Sequence, residues 1–322
     1  MGVKCLNRYL TQQCQKSSIS KEHISCLKGK KIAIDTSIYL YKYRSQDALH
    51  ESFYNMISLF RKYEITPFFV FDGKPPPEKM EALKERKMLK LDAEKEYNVL
   101  QKSLETIEDN ELKETILGEM EVLKRQFVRI SDKHVKSVKK IMDAYGVHYY
   151  DAYGEADRAC AYLCKEKCYG CMSDDMDMFV YGCPIVLRHL SLINETILVY
   201  NMDRILFDLN MPHSLLKQIS VLSGTDYNIH DNDVSLYETL KWFKEYNRKD
   251  RENDDDLEMG FYNWLGKNTK YIKNMESLKQ IHCLYNMDLE LPILDNLDIF
   301  MKNSYNKREL EEVMQEHGFI FV

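Results

Sequence analysis

No run of ~18 or more apolar residues occurs in the 322-residue chain, so no membrane-spanning helix is expected. The opening MGVKCLNRYL lacks the apolar core of a signal peptide, and Leu6 stands where an N-myristoylation signal has Ser or Thr. The pair of C-x-x-C units of a usual zinc site is also missing, so Cys160, Cys164, Cys168 and Cys171 are not expected to bind zinc. The first three recur every four residues, as on one helix face, where reduced Cys serves as a small core residue. Nine cysteines, an odd number, without a secretory signal suggest reduced thiols and an intracellular setting. Glycine and proline are absent from 78–117, and glycine from 226–246.

What is present suits a globular chain: 44% of residues are apolar, enough for one large core or two small ones. The formal net charge of −6 argues weakly against nucleic acid, but its distribution is uneven. Residues 1–31 hold Lys4, Arg8, Lys16, Lys21, Lys28, Lys30 and Lys31 against Glu22 alone. Residues 124–140 hold Lys124, Arg125, Arg129, Lys133, Lys136, Lys139 and Lys140 against Asp132. Taken alone, such runs are ordinarily solvated helix faces.

Strand patterns occur at 30–37, 66–77, 146–152 and 168–172, with helical patterns at about 47–63, 132–145 and 155–167. The alternation predicts an α/β fold with a mostly parallel central sheet and helices on both faces. Sites in such sheets form at the carboxyl ends of the strands. Asp35, Asp72 and the SDDMDMFVYG stretch with Asp174, Asp175 and Asp177 fall at those ends. A single aspartate there is ordinarily a helix N-cap. Three strand ends with the same feature imply converging carboxylates, which repel unless a counter-charge, usually a divalent metal, joins them. Glu155 and Asp157 open the helical pattern of YGEADRACAYL, where acids also suit the helix dipole. Asp226 follows a glycine-broken helical stretch, VLSGTDY, a place where turn aspartates are common. The polar stretch 78–117 predicts a long helical region, with Lys79 and Arg86 two turns apart on one face. Beyond residue 203 the pattern is mainly helical, with a polar break at RKDRENDDD, 248–256.

Together, KKIAIDTSIYLYK, FFVFDGKPPPEK, YGEADRACAYL, SDDMDMFVYG with LRHL, and VLSGTDY resemble the flap endonuclease (Rad2/XPG) family of structure-specific 5′ nucleases, in order and spacing. The likeness runs from the first residues to about residue 320. It implies a PIN-like nuclease fold forming one domain over 1–322. Its parts would be an N-terminal nuclease region (1–77), a helical gateway or cap (78–130), an internal nuclease region (131–226) and a helical C-terminal region (227–322). The resemblance implies two Mg²⁺ ions, with Mn²⁺ as a substitute. Asp35, Asp72, Glu155 and Asp157 would hold one; Asp175, Asp177 and Asp226 would hold the other. Asp157 stands where flap endonucleases usually have Glu. Asp174 reads as a supporting or surface acid. Lys79 and Arg86 match the basic pair facing the scissile phosphate, and Tyr41 matches an aromatic on which an unpaired base stacks; from the sequence alone Tyr41 is equally a core aromatic. The implied activity is cleavage of 5′ flaps and 5′ ends of branched DNA, in replication and repair.

The chain departs from that pattern in two places. The family's glycine-rich hairpin after the last metal aspartate has no counterpart in DYNIHDNDVSLYETLKWFKEY, which puts the hairpin grip on duplex DNA and its K⁺ site in question. Backbone NH groups near Val234 to Leu236, with Lys241 and Lys244, are the candidate replacement. The C-terminal QEHGFIFV has Gly318 where the sliding-clamp motif needs an aliphatic residue three positions after its glutamine, so clamp binding is not expected. A monomer without membrane contact is expected, in the nucleus or at a site of viral genome replication. The competing readings are an RNA-directed 5′ nuclease and a catalytically silent binder of branched nucleic acid. The seven carboxylates speak against the silent binder.

Overall fold

Seven strands form one sheet in the order β1-β7-β6-β5-β2-β3-β4. The computed structural model describes residues 2–104, 109–228, 236–249, 259–286 and 305–321. The strands are β1 (Ile19–His23), β2 (Lys31–Asp35), β3 (Thr66–Phe71), β4 (Tyr149–Asp151), β5 (Gly170–Met172), β6 (Ile185–Ser191) and β7 (Thr196–Asn201). The four strands read from the sequence are β2 to β5. These and β6 pair in parallel, with β2 between β3 and β5. An antiparallel wing, β6-β7-β1, extends the sheet and was not foreseen. Its strands carry weak signals: β1, ISKEH, is largely exposed, and a register shift between Arg188 and Ser191 breaks the alternation of β6.

The early helices are α1 (Leu6–Gln13), α2 (Thr36–Ser45) and α3 (Leu49–Lys62); α6 (Asp132–Tyr145) and α7 (Ala156–Glu166) follow in the crossovers. The patterns at 47–63, 132–145 and 155–167 correspond to α3, α6 and α7. Alternate strand residues feed two cores. Ala33, Phe68 and Val70 pack with α1 and α7 on one face. Ile32, Ile34, Phe69 and Phe71 pack with α2, α3 and α6 on the other. This two-sided burial is why the strands read as near-continuous apolar runs. Cys160 and Cys164 lie buried on α7, but the helix ends at Glu166, so Cys168 does not share their helical face.

The polar stretch forms a 3₁₀ turn (Pro77–Lys79) followed by α4 (Met80–Leu104) and α5 (Asn110–Gln126), which pack on each other. Their attachment to the body includes the Lys124–Asp47 ion pair at 2.7 Å. α8 (Asp177–Val180) precedes β6, and from residue 202 the described residues are mainly helical, with α9 (Met202–Leu209), α10 (His213–Leu222), α11 (Leu236–Lys249), α12 (Gly260–Asn268) and α13 (Met275–Leu284). A last helix, α14 (Lys307–Glu316), packs on α6. Beyond it, Phe319 and Phe321 rest against Tyr54, with ring centroids 5.1 and 5.9 Å away. Residues 250–256 of the polar break, and Val234 of the candidate DNA grip, lie outside the described residues; Leu236 is buried, and Lys241 and Lys244 are exposed on α11.

Gly73 shows how the fold brings the strand ends together. A Cβ there would lie 2.0 Å from the Ala152 carbonyl oxygen and 2.6 Å from that of Tyr153. Its own N–H donates to the Gly154 carbonyl at 2.7 Å, so the chain after β3 lies flat against the chain after β4. Both neighbours are backbone and have nowhere to go. Gly73→Ala is therefore expected to destabilise the fold by about 1–3 kcal/mol or more. Gly118, inside α5 with open space around it, should respond with the opposite sign, gaining about 0.8–1 kcal/mol as alanine. Urea unfolding of the two variants measures both.

Candidate metal centre

β2, β3 and β5 are adjacent and parallel, so their carboxyl ends open on one cleft. Asp35 ends β2 and caps α2, its Oδ1 accepting the Ser37 N–H at 3.1 Å while its Oδ2 accepts the Ser173 hydroxyl at 3.0 Å. The expected capping role is filled by Oδ1, while Oδ2 is held at the strand ends by the Ser173 hydroxyl. Asp72 follows β3 and accepts the Ala156 N–H at 2.8 Å, at the start of α7. Glu155 is the N-cap residue of α7 and Asp157 lies in its first turn. Past β5, the Ser173 hydroxyl accepts the Asp175 N–H at 3.1 Å, and Asp175 Oδ1 accepts the Asp177 N–H at 3.0 Å. Asp226 arrives from the turn after α10 and meets Arg86 at 2.6 Å.

Two cations enter this cleft from the α4 side. Lys79 pairs with Glu155 and lies 3.5 Å from Asp226. Lys79 belongs to the 3₁₀ turn, not to α4, so the single helical face expected for it and Arg86 is not what aligns them. They converge because both reach for Asp226. Tyr41, on α2, is 44% exposed and so is not a core aromatic; the Lys90 ammonium sits 4.5 Å from its ring centroid. Asp174 turns away from the cleft: its Oδ1 accepts the His189 N–H at 2.7 Å and its carbonyl accepts from buried Arg188 at 2.8 Å.

The cations do not balance the acids. Burial, then repulsion from Asp72 and Asp175, pushes the Asp35 carboxyl up to about 7. Burial, then repulsion from Asp35 and Asp175, raises Asp157 well above the carboxylate range. Burial raises Asp175, and burial with repulsion from Asp175 and Asp226 raises Asp177 well above that range. Asp226 goes the other way: burial pushes it up, but Arg86 and Lys79 outweigh that and hold it low. Among the described residues, no three His, Cys, Asp or Glu side chains stand closely enough to clasp a metal as they are, and Lys79 bridges Glu155 and Asp226. The residues nevertheless fit a hard divalent cation. The donors are all carboxylate oxygens, four of them lack an adequate counter-charge, and Asp177 Oδ1 is buried with no hydrogen-bond partner among the described residues.

Sequence reasoning missed several neighbours. Gly2, at φ 72°, lies so close that a Cβ would fall 2.3 Å from the Oδ1 atoms of both Asp175 and Asp177. The Tyr227 hydroxyl donates to Glu155, and the Tyr285 hydroxyl to Asp177 Oδ2 at 2.6 Å. The position of Tyr227, next to Asp226, was a usable signal; Gly2 and Tyr285 are 175 and 108 residues from the acids they touch or nearly so, a separation no local pattern bridges.

A group whose folded pKa is raised binds more protons folded than unfolded. Without metal, Asp35 should therefore lower stability as pH rises from its ordinary 3.8 through about 7, at up to about 1.4 kcal/mol per pH unit. In EDTA the thermal midpoint of Asp35→Asn should fall less than that of wild type between pH ~5.5 and ~7.5, and Mn²⁺ should lift the wild-type midpoint most at the upper pH.

Comparison with known proteins bears on the family and the fold. The family model described as the XPG N-terminal domain matches residues 1–93, and that of the XPG I-region matches 146–226. Flap endonuclease 1 of Encephalitozoon cuniculi (strain GB-M1) is 31% identical over 246 residues, covering 70% of this chain and 68% of that protein. The probable RAD2-like endonuclease 369L of Invertebrate iridescent virus 6 is 28% identical over 298 residues, covering 75% and 71%. The solved catalytic core of Rad2 superposes with a TM-score of 0.64 over 99% of this chain and 96% of that one; at 18% identity this speaks to the fold. With two matched regions and a relative of this identity covered over two thirds of its length, the chain belongs to the Rad2/XPG family of flap endonucleases.

Proposed function

We propose that the protein is a Mg²⁺-dependent structure-specific nuclease that cuts 5′ flaps and 5′ ends of branched DNA, in replication and repair. The observation that supports this most is the meeting of seven acids from five chain segments with two cations in one cleft. Asp35, Asp72, Glu155 and Asp157 would hold one Mg²⁺ and Asp175, Asp177 and Asp226 the other. When bound, the pair supplies a water activated for attack and stabilises the entering and leaving oxygens of an in-line phosphodiester cleavage.

The chain's own residues do the rest. Lys79 and Arg86, held at the cleft by acids, are placed to turn toward a scissile phosphate and offset the charge that grows on it. The exposed face of Tyr41 offers a platform for an unpaired base, and such stacking is tolerant of sequence. The region 78–130, with α4 and α5, would be the cap beside which the single-stranded 5′ end passes. The helices after residue 227 carry Lys241 and Lys244 toward duplex phosphates without a glycine-rich hairpin.

A 5′-labelled double-flap DNA in Mg²⁺ tests this reading. Wild type should cut near the flap junction, Asp175→Ala should not, and Arg86→Ala should cut roughly 100- to 1,000-fold more slowly while binding the flap normally in Ca²⁺. Equal cutting by wild type and Asp175→Ala would reject the metal assignment. Preferred cutting of a matched RNA flap would move the function to RNA. Binding without cutting by wild type would leave a silent binder.

A further inference from the structure

Three tyrosines stand together behind the carboxylates, each from a different part of the chain. Tyr181 follows α8, Tyr227 follows Asp226, and Tyr285 follows α13. The Tyr285 ring centroid lies 4.8 Å from that of Tyr181 and 5.3 Å from that of Tyr227. Tyr181 and Tyr285 are each only 2% exposed. Two of the three hydroxyls are spent on cleft acids, Tyr227 donating to Glu155 and Tyr285 to Asp177 Oδ2 at 2.6 Å.

The two oxygens of Asp177 are therefore unlike. Oδ2 is held by Tyr285, whereas Oδ1 is buried, has no hydrogen-bond partner among the described residues, and faces the same point beside Gly2 as Asp175 Oδ1. A phenol suits this task for a physical reason. Its hydroxyl donates one hydrogen bond and carries no charge at neutral pH. It orients a carboxylate without cancelling the negative charge a cation needs, which Lys79 and Arg86 cannot do for Glu155 and Asp226. Packed among two other rings, Tyr285 has little freedom left to lose when Asp177 is engaged.

We infer that Tyr285 is a positioning residue of the metal centre: its hydroxyl fixes the Asp177 carboxylate so that Oδ1 is presented to the cation. This rests on the proposed reading of Asp175, Asp177 and Asp226 as metal ligands. It also gives the helices after residue 236 a part in the centre, because Tyr285 reaches Asp177 from the end of α13. Partners that orient a ligand from behind typically change metal affinity about 10- to 100-fold when removed.

The test is the Mn²⁺ dissociation constant of wild type, Tyr285→Phe and Tyr262→Phe, by calorimetry or by the EPR signal of free Mn²⁺. Tyr262 is the matched control: it is fully buried on α12 and its hydroxyl donates to the Gln218 carbonyl at 3.2 Å, with no cleft acid in contact. Tyr285→Phe should raise the constant about 10- to 100-fold, Tyr262→Phe should leave it unchanged, and the cleavage lost by Tyr285→Phe should return at high Mn²⁺ while flap binding in Ca²⁺ stays at the wild-type level. Wild-type affinity in Tyr285→Phe overturns the inference. Equal weakening in both variants also overturns it, since that is what a loosened helical core would give. Failure of wild type itself to bind Mn²⁺ overturns the metal reading and this inference with it.

Discussion

Repulsion among buried carboxylates is the constraint around which this molecule is built. Asp35, Asp175 and Asp177 are each only 4% exposed, and Asp157 lies among them. Charge so confined is costly unless an opposite charge shares the space. Lys79 and Arg86 supply part of it, and they supply it on one side, at Glu155 and Asp226. The acids against the ends of β2 and β5 are left with raised proton affinities instead. Such a cleft is strained by its own charge, which protons or divalent cations would relieve.

The fold holds the acids there at close quarters. Parallel pairing of β2 with β3 and β5 sends three chain ends to one edge of the sheet. Ser173 ties Asp35 to the Asp175 backbone, so the ends of β2 and β5 are bonded through a single hydroxyl. Gly73 and Gly2 let backbone pass where any side chain would collide. The helical part then closes the cleft from behind through Tyr227 and Tyr285.

Much of this was legible in the sequence because the signals are local. Apolar runs ending in Asp35 and Asp72, with helical patterns between them, gave both the parallel sheet and the edge where the acids meet. The expected division of the acids into two ligand sets came from likeness to a family; the strand-end pattern alone implied that Asp35, Asp72 and the 174–177 cluster converge, and it left Asp226 as a turn residue. Pairings between distant or weakly patterned segments were not legible. β1 and β7 lack clean alternation and find each other across 173 residues, from His23 to Thr196. The coupling of Lys79 to Arg86 was anticipated for the wrong reason, because Lys79 lies in a 3₁₀ turn and a shared acid, not a shared helix face, brings the two together.

The most direct test of the central claim is calorimetric titration of the metal-free protein with Mn²⁺ at pH ~6.5, repeated in buffers of different ionisation enthalpy. Binding of two ions with net release of protons is predicted, because cations compete with protons for carboxyls whose proton affinity burial and mutual repulsion raise, Asp35, Asp157 and Asp177 among them. Binding with no proton release, or no binding, would contradict it.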